Sequence, residues 1–372
     1  MKRVLISGGA GFIGSNLGRH LLSRGYRVTV LDNFSSQIHD GPAGPTPDDS
    51  VAVIRGDVRR IEDWRRALVD QDIVVHFAAE TGTGQSMYQI ERYMNVNVVG
   101  TANLLEILAN ESHGVRKMLV ASSRAIYGEG KYQCDEHGQV YPLPRAQAQM
   151  LAGDFAVKCP ECNHDVSLLP TDEASKLHPS SVYGISKHCQ EQLFMTVGSS
   201  LGIPAVALRY QNVYGPGQSL VNPYTGILAI FSTRIRNGAS ISIFEDGRES
   251  RDFLYIDDAV EATRLAIESD AANHQVFNVG TGIRTDVLTV AQLLRSALHG
   301  DSPIEVGGNF RLGDIRDNFA DISRIRSFLG FEPKIPFEQG VRRFCDWVTA
   351  QPLAADKFDR SIEEMRRRGL YK

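Results

Sequence analysis

Tyr183 and Lys187 stand four residues apart in "YGISK". On a helix that spacing places both side chains on one face, about one turn apart. A free tyrosine has a pKa near ~10 and is a poor base at neutral pH, and a cation alongside favours the phenolate. The pair is therefore suited to moving a proton on and off an alcohol. A second chemical feature lies at the other end of the chain. In "SGGAGFIGSNL" Gly8, Gly11 and Gly14 are spaced GxxGxxG, with Phe12 and Ile13 between the last two. Small residues there let the chain turn tightly, let a pyrophosphate approach the backbone, and aim helix N-terminal N–H groups at it. A third feature is Cys134 and His137 in "CDEH", followed by Cys159 and Cys162 in "CPEC". A C-x2-H and a C-x2-C supply four ligands of the types zinc prefers, with His164 as an alternative to His137.

These groups need a frame. "RVLISG", "RVTVLD", "VAVIRGD", "IVVHFAA", "KMLVASS" and "PAVALRY" are short, nearly continuous apolar runs, the signature of parallel strands buried on both faces. Segments such as "SNLGRHLLSRGY" and "VVGTANLLEILANES" between them carry apolar residues at helical spacing. The alternation predicts an α/β fold with a Rossmann-like doubly wound parallel sheet. The glycine triplet falls between the first strand and first helix, the place a dinucleotide site requires. Asp32 follows 18 residues beyond Gly14, positioned to accept hydrogen bonds from an adenosine ribose and to repel a 2′-phosphate, which favours NAD over NADP. Asn33 follows it. Asp57 and Val58 after the third strand are placed to flank the adenine, and Phe77, Ala78 and Ala79 after the fourth let a cofactor lie across the sheet. His76 in that run reads as a structural strand-end histidine.

After Arg209 the texture changes to Gly-, Pro- and Asn-rich segments, which predicts a smaller mixed α/β substrate-binding lobe. We divide the chain into an NAD-binding domain over 1–209, with an insert at 130–175 and a returning segment at 252–279. The substrate lobe takes 210–251 and 280–350, and 351–372 reads as a charged surface helix without chemistry.

Bulk properties exclude several classes. The 372 residues are 42% hydrophobic and 23% charged with net charge −4 and no long basic run, which argues against nucleic acid as the main partner. No run approaches the roughly 18 apolar residues that span a bilayer, so no membrane partner is expected. "MKRVLISGGAGFIG" reads as a buried first strand rather than a signal peptide. Five cysteines without a secretory signal predict a reducing, cytoplasmic setting, with Cys189 and Cys345 as buried core thiols.

Taken in order, "GGAGFIG", "NVNVVGTANLLE", "SSRAIYG", "YGISK", "LRYQNVYGPGQ", "RDFLYIDD" and "RLGD" resemble the extended short-chain dehydrogenase/reductases of the nucleotide-sugar epimerase/dehydratase family, over nearly the whole chain. The resemblance implies NAD as cofactor, a nucleotide-diphosphate sugar as substrate, and a homodimer paired through "NVVGTANLLEILAN" and "YGISKHCQEQLF". It implies that Ser123 hydrogen-bonds the reacting sugar hydroxyl, that Tyr183 is the acid/base, and that Lys187 lowers its pKa and holds the nicotinamide ribose. Asn97 matches the family asparagine beneath the site; Ser122 is structural and Asn103 faces solvent. Asn212 resembles the contact to the substrate diphosphate, Arg251 and Arg311 match phosphate-pairing arginines suited to bidentate contact, and Asp314 matches the acidic partner near the nucleotide ribose.

Which reaction follows depends on what succeeds Ser123. Dehydratases and decarboxylases of the family carry a carboxylate there, whereas here Arg124 and Ala125 follow. Glu80 is a weak substitute. C4 epimerisation needs only the groups named, and several segments look most like the dTDP-L-rhamnose 4-epimerase group. UDP-hexose or UDP-uronate 4-epimerisation and NAD(P)H-dependent reduction of a 4-ketosugar are the alternatives. About fifty residues separate "IYG" from "SSVYGISK", and the Cys/His set within them reads as a structural zinc clasp or as free loop thiols.

Overall fold

The protein is described here by a computed structural model covering residues 1–39, 50–224 and 226–372. Its centre is a seven-stranded, all-parallel sheet of β1 (Arg3–Ser7), β2 (Arg27–Asp32), β3 (Ala52–Arg55), β4 (Ile73–His76), β5 (Lys117–Ser123), β6 (Ala205–Tyr210) and β7 (Gln275–Val279). The order across the sheet is β7-β6-β5-β4-β1-β2-β3. Val4 pairs with Val28 of β2 on one side and with Ile73 of β4 on the other. Side chains alternate through the sheet: Val4, Ile6, Val30 and Val75 enter one core, while Leu5, Leu31 and Val74 enter the other. Burial of both faces explains why the inner strands read as unbroken apolar runs, whereas edge strand β3 leaves Ala52, Val53 and Arg55 exposed. The order reverses at β1 and β4, and such a reversal opens a crevice at the carboxyl ends of the strands.

Helix α1 (Phe12–Leu22) leaves β1 directly. Helix α2 (Val182–Leu201) begins at Ser181, whose hydroxyl accepts the Gly184 N–H at 3.1 Å, and ends at Gly202 with φ 67°. Both caps are the residue types that favour them. The strands read from sequence are present; β7 was not singled out there.

The segment 252–279 has a divided allegiance. Ser250–Tyr255 is a strand of a mixed second sheet, parallel to Asn212–Tyr214 and Asp317–Asn318 and antiparallel to Arg284–Asp286. Helix Ile256–Glu268 then crosses to α1, and β7 closes the main sheet. Within the insert, Gly138–Val140, Tyr132–Cys134 and Ser167–Leu168 form a small antiparallel sheet.

The C-terminal segment departs from its reading as an idle surface helix. Helix α3 (Phe358–Arg367) buries Phe358, Ile362 and Met365 with Tyr371 and packs them on Phe244. Tyr88 and Tyr224 both donate to Glu364. Its charged face misled the sequence reading, because the apolar positions repeat on one side only.

Candidate active site

A cavity of about 530 Å3 runs from the crevice at the ends of β1, β2 and β4 past Ser123 into the lobe. At its first end lie Gly8, Gly11, Phe12, Ile13 and Gly14. A Cβ on Gly14 would fall 2.4 Å from the Gly8 carbonyl oxygen, and one on Gly8, at φ 69°, would fall 2.6 Å from the Ala78 nitrogen. Helix α1 has no acidic residue in its first turn and no side-chain cap. Its first N–H groups are therefore left for an anion. Asp32 is fixed by the N–H groups of Ala10 at 3.0 Å and Phe34 at 2.8 Å. Asn33, Val58, Phe77, Ala78 and Ala79 also face the cavity. A cradle that excludes Cβ atoms, an uncapped helix and a fixed carboxylate fit a dinucleotide.

Asp57 and Asn97 both have partners within the protein. The Asp57 carboxylate is held by Arg59 at 2.9 and 2.7 Å, which also keeps it below the usual carboxylate range, and accepts from Asn33 of the cavity wall at 3.3 Å. Asn97 is fully buried on a π-helical turn, Met94–Val99. It bonds the Glu80 N–H and carbonyl and Ser186 at 2.7, 3.1 and 2.8 Å, so it stays beneath the site. Asn103 does not simply face solvent: its amide donates to the Val58 carbonyl at 3.1 Å.

Ser123 ends β5, while Tyr183 and Lys187 come from the first turns of α2. Burial raises the Tyr183 pKa; a hydrogen bond with Ser123 and the charge of Arg124 pull it back down. Burial lowers Lys187 to about 7 against the partial support of Glu191. Its amino group donates to Gln190 at 2.6 Å. The sequence reading gave Lys187 the task of lowering the tyrosine; Arg124 also bears on Tyr183 as a cation. His76 bridges Ser7 at 2.6 Å and Thr101 at 2.8 Å and is pushed down to about 3, first by burial and then by the Lys187 charge. It is a neutral strut.

Beyond Tyr183 the wall turns polar. Arg124 donates to Asn212 at 2.7 Å, and burial followed by the charge of Arg251 lowers it to about 9. Arg251 spends its terminal nitrogens on the carbonyls of Ser250, Ile315 and Arg316 at 2.7–2.8 Å. Arg311 pairs with Asp314 through Nη2 at 2.6 Å, so two residues assigned separately to the substrate hold one another in this structure. All five line the cavity. So do Gln211, Gln218, Ser219 and Glu249, whose side chains include buried atoms with no partner among the described residues. Glu249 is raised to about 7, chiefly by burial and then by Glu245. Unmet polar atoms in a buried wall call for a polar ligand.

Residues 4–147 and 160–280 match the NAD dependent epimerase/dehydratase family. The chain belongs to that family. It is 36% identical over 354 residues, 94% of this chain and 96% of the relative, to the dTDP-L-rhamnose 4-epimerase of Burkholderia thailandensis. It is similar in structure to the UDP-glucose 4-epimerase of Thermotoga maritima with UDP-glucose, at TM-score 0.76 and 30% identity over 93% of this chain and 98% of that one. It is also similar to the Thermus thermophilus UDP-glucose 4-epimerase in complex with NAD, at TM-score 0.75 and 29% identity over 94% and 100%.

Arg124, Glu249 and Phe358, like Gln211, Gln218 and Ser219, are wall residues that sequence reasoning missed or used only to exclude a reaction. Arg124 carried a usable signal, since it directly follows Ser123; Glu249 and Phe358 carried none. Glu80 faces the cavity, but its carboxylate is engaged by Arg92 at 2.8 Å. The family match breaks at 148–159, inside the insert. There Cys134, His137, Cys159 and Cys162 bring their ligand atoms within 4.8 Å of one another, away from the cavity. His164 pairs instead with Glu136 at 3.1 Å. Cys345 is buried as read, and Cys189 is half-buried.

Proposed function

We propose that the protein interconverts the C4 epimers of a nucleotide-diphosphate sugar, with a dTDP-6-deoxyhexose such as dTDP-L-rhamnose as the substrate. The observation that carries this reading is the continuity of one cavity from the glycine cradle past Ser123 and Tyr183 to a wall of arginines and unpartnered polar groups. The identity to the Burkholderia enzyme supports the choice of sugar. Residues 1–209 with much of 252–279 bind the cofactor in this proposal, and 210–251 with 280–350 bind the sugar nucleotide.

Gly8, Gly11, Gly14 and Asp32 hold NAD, which when bound accepts a hydride and returns it. Ser123 accepts or donates a hydrogen bond at the C4 hydroxyl and aligns it with Tyr183. Tyr183 takes the hydroxyl proton as the C4 carbonyl forms and gives it back when the alcohol is restored. Arg124 supplies the positive charge that steadies the phenolate. Asn212, Arg251 and Arg311 face the diphosphate, with Asp314 toward the ribose, and the sugar turns between the two halves. No carboxylate follows Ser123, and Glu80 is committed to Arg92. Dehydration therefore lacks the acid and base that the family's dehydratases place beside the catalytic serine.

The proposal includes a homodimer, supported by exposed Val99 and Ile185 next to and on the two helices concerned, and cytoplasmic residence, supported by five cysteines present as free thiols. It also includes a structural zinc ion on Cys134, His137, Cys159 and Cys162, outside the path of the reaction.

The test is incubation of the purified protein with dTDP-L-rhamnose and no added reductant, followed by NMR. The C4 epimer should appear without net change in NAD(P)H. Stoichiometric NAD(P)H consumption with no epimer overturns the reading in favour of a reductase. In Tyr183→Phe turnover should fall ~10²–10⁴-fold while NAD remains bound.

A further inference from the structure

The insert is the part of the chain that the reaction does not use. Cys134 and Cys159 are almost fully buried in a miniature core with Tyr132, Val140 and Val157. That core is too small to order a peninsula of this size by burial alone. The Sγ atoms of Cys134 and Cys162 lie 3.6 Å apart, and His137 Nδ1 lies 3.6 Å from Cys134 Sγ and 3.7 Å from Cys159 Sγ. Bond lengths of about 2.3 Å to sulfur and about 2.0–2.1 Å to nitrogen around a tetrahedral ion give S···S edges of about 3.8 Å and S···N edges of about 3.6 Å. The observed edges match those values. A disulfide needs sulfurs at about 2.05 Å, which the Cys134–Cys162 separation does not approach.

Local backbone suits the same end. The Cys159 N–H donates to the His164 carbonyl at 2.8 Å, and Asn163, at φ 62°, donates to the Cys159 carbonyl at 3.0 Å. That tight turn brings Cys162 back beside Cys159. No helix follows it, so the thiols lack the helix N-terminus that redox pairs exploit. Three thiolates and an imidazole close the coordination shell, which leaves no open position for chemistry and favours zinc over harder cations.

The clasp is connected to the substrate wall. Phe155, four residues before Cys159, packs with Met150 on Phe310 and Leu312, the neighbours of Arg311. Phe155 and Phe310 meet edge to face at 6.4 Å. Arg145 donates to the carbonyls of Phe155 and Asp314 at 3.3 and 3.2 Å and pairs with buried Glu129 and Glu245 at 3.2 and 2.7 Å. Glu129 in turn accepts the Arg316 N–H at 2.8 Å, beside the carbonyl that holds Arg251. The chain that joins Cys134 to Cys159 thus grips the segment carrying Arg311 and Asp314.

We infer that Cys134, His137, Cys159 and Cys162 bind one zinc-type divalent cation, and that this ion fixes Phe155 and Arg145 and thereby the diphosphate-facing wall of the pocket. The coupling half rests on the nucleotide-sugar reading; the metal half does not. Phe155 and Arg145 are positioning residues in this scheme.

Protein purified without chelator should hold one zinc per chain by elemental analysis, and Cys162→Ser should lose it. Calorimetry with dTDP and UDP should show the preferred nucleotide bound about tenfold more weakly in Cys162→Ser, with NAD content unchanged. Phe155→Ala should keep its zinc and show the same weakening, which separates the coupling from loss of folding. No bound metal, with the cluster's thiols titrating freely or joined as a disulfide, overturns the site. Zinc present with nucleotide affinity unaltered in both variants overturns the coupling. A wild type that holds zinc yet binds neither dTDP nor UDP overturns the nucleotide-sugar reading and the coupling with it, while the metal site stands.

Discussion

Arg124 donates its Nε–H to the side-chain oxygen of Asn212 at 2.7 Å, across 88 residues of sequence. The bond joins the turn after Ser123 to the first strand of the lobe and holds a guanidinium beside Tyr183. Burial raises the tyrosine, and Arg124 is the cation that opposes the rise. Arg124→Leu should therefore raise the apparent pKa of the base. Because the base works deprotonated, the limb on which kcat/KM climbs with pH should move to higher pH. Arg124→Lys should restore part of the shift. A pH–rate profile unchanged in Arg124→Leu would remove Arg124 from this role.

The buried lysine gives a prediction about stability. Lys187 falls from its ordinary 10.5 to about 7 in the folded protein. Between those values the unfolded chain binds the extra proton, so this group makes stability rise with pH across the window and costs most below about pH 7. Lys187→Met removes that cost. Its gain in melting temperature over the wild type, both without ligand, should be larger at pH 6 than at pH 9.

Gly14 and Gly11 should respond differently to alanine. At Gly14 the new methyl meets the Gly8 carbonyl oxygen at 2.4 Å, whereas at Gly11 the nearest atom is 3.2 Å away. Gly14→Ala should lose ~1–3 kcal/mol of stability as well as NAD binding. Gly11→Ala should keep the melting temperature within a few degrees and weaken NAD alone. Thermal unfolding and NAD titration of the two variants check both statements.

Phe358 links the tail to the pocket. It lines the cavity, stacks near Phe244 with ring centroids at 6.4 Å, and carries Arg234 over its face at 4.8 Å. The same segment is bridged to Arg311 through Tyr371. Phe358→Ala should raise KM for the nucleotide sugar about tenfold, the equivalent of ~1.4 kcal/mol, with NAD affinity unchanged. Steady-state kinetics and NAD titration would show whether the loss is confined to the sugar side.

The sequence by itself determined the strands and the cofactor cradle, because both are local. Short unbroken apolar runs such as "RVLISG", β-branched and bounded by glycine, favour strands covered on both faces, and a glycine triplet between strand and helix states its backbone requirement residue by residue. Spacing alone also put Tyr183 and Lys187 on one helical face and named four ligands in the insert. Tertiary structure decided everything that depends on which distant groups meet. It placed Arg124 where its charge acts on Tyr183, and it gave the Lys187 amino group a partner in Gln190. It paired Asp57 with Arg59 and set Asn97 against Ser186. It brought the tail to Phe244, an association that a charged helix does not advertise in one dimension. And it drew Cys134 and His137 together with Cys159 and Cys162, with ligand atoms within 4.8 Å of one another and three of the separations at 3.6–3.7 Å. Pairing partners are chosen by competition among all groups that folding brings within reach, and that competition is settled only in three dimensions.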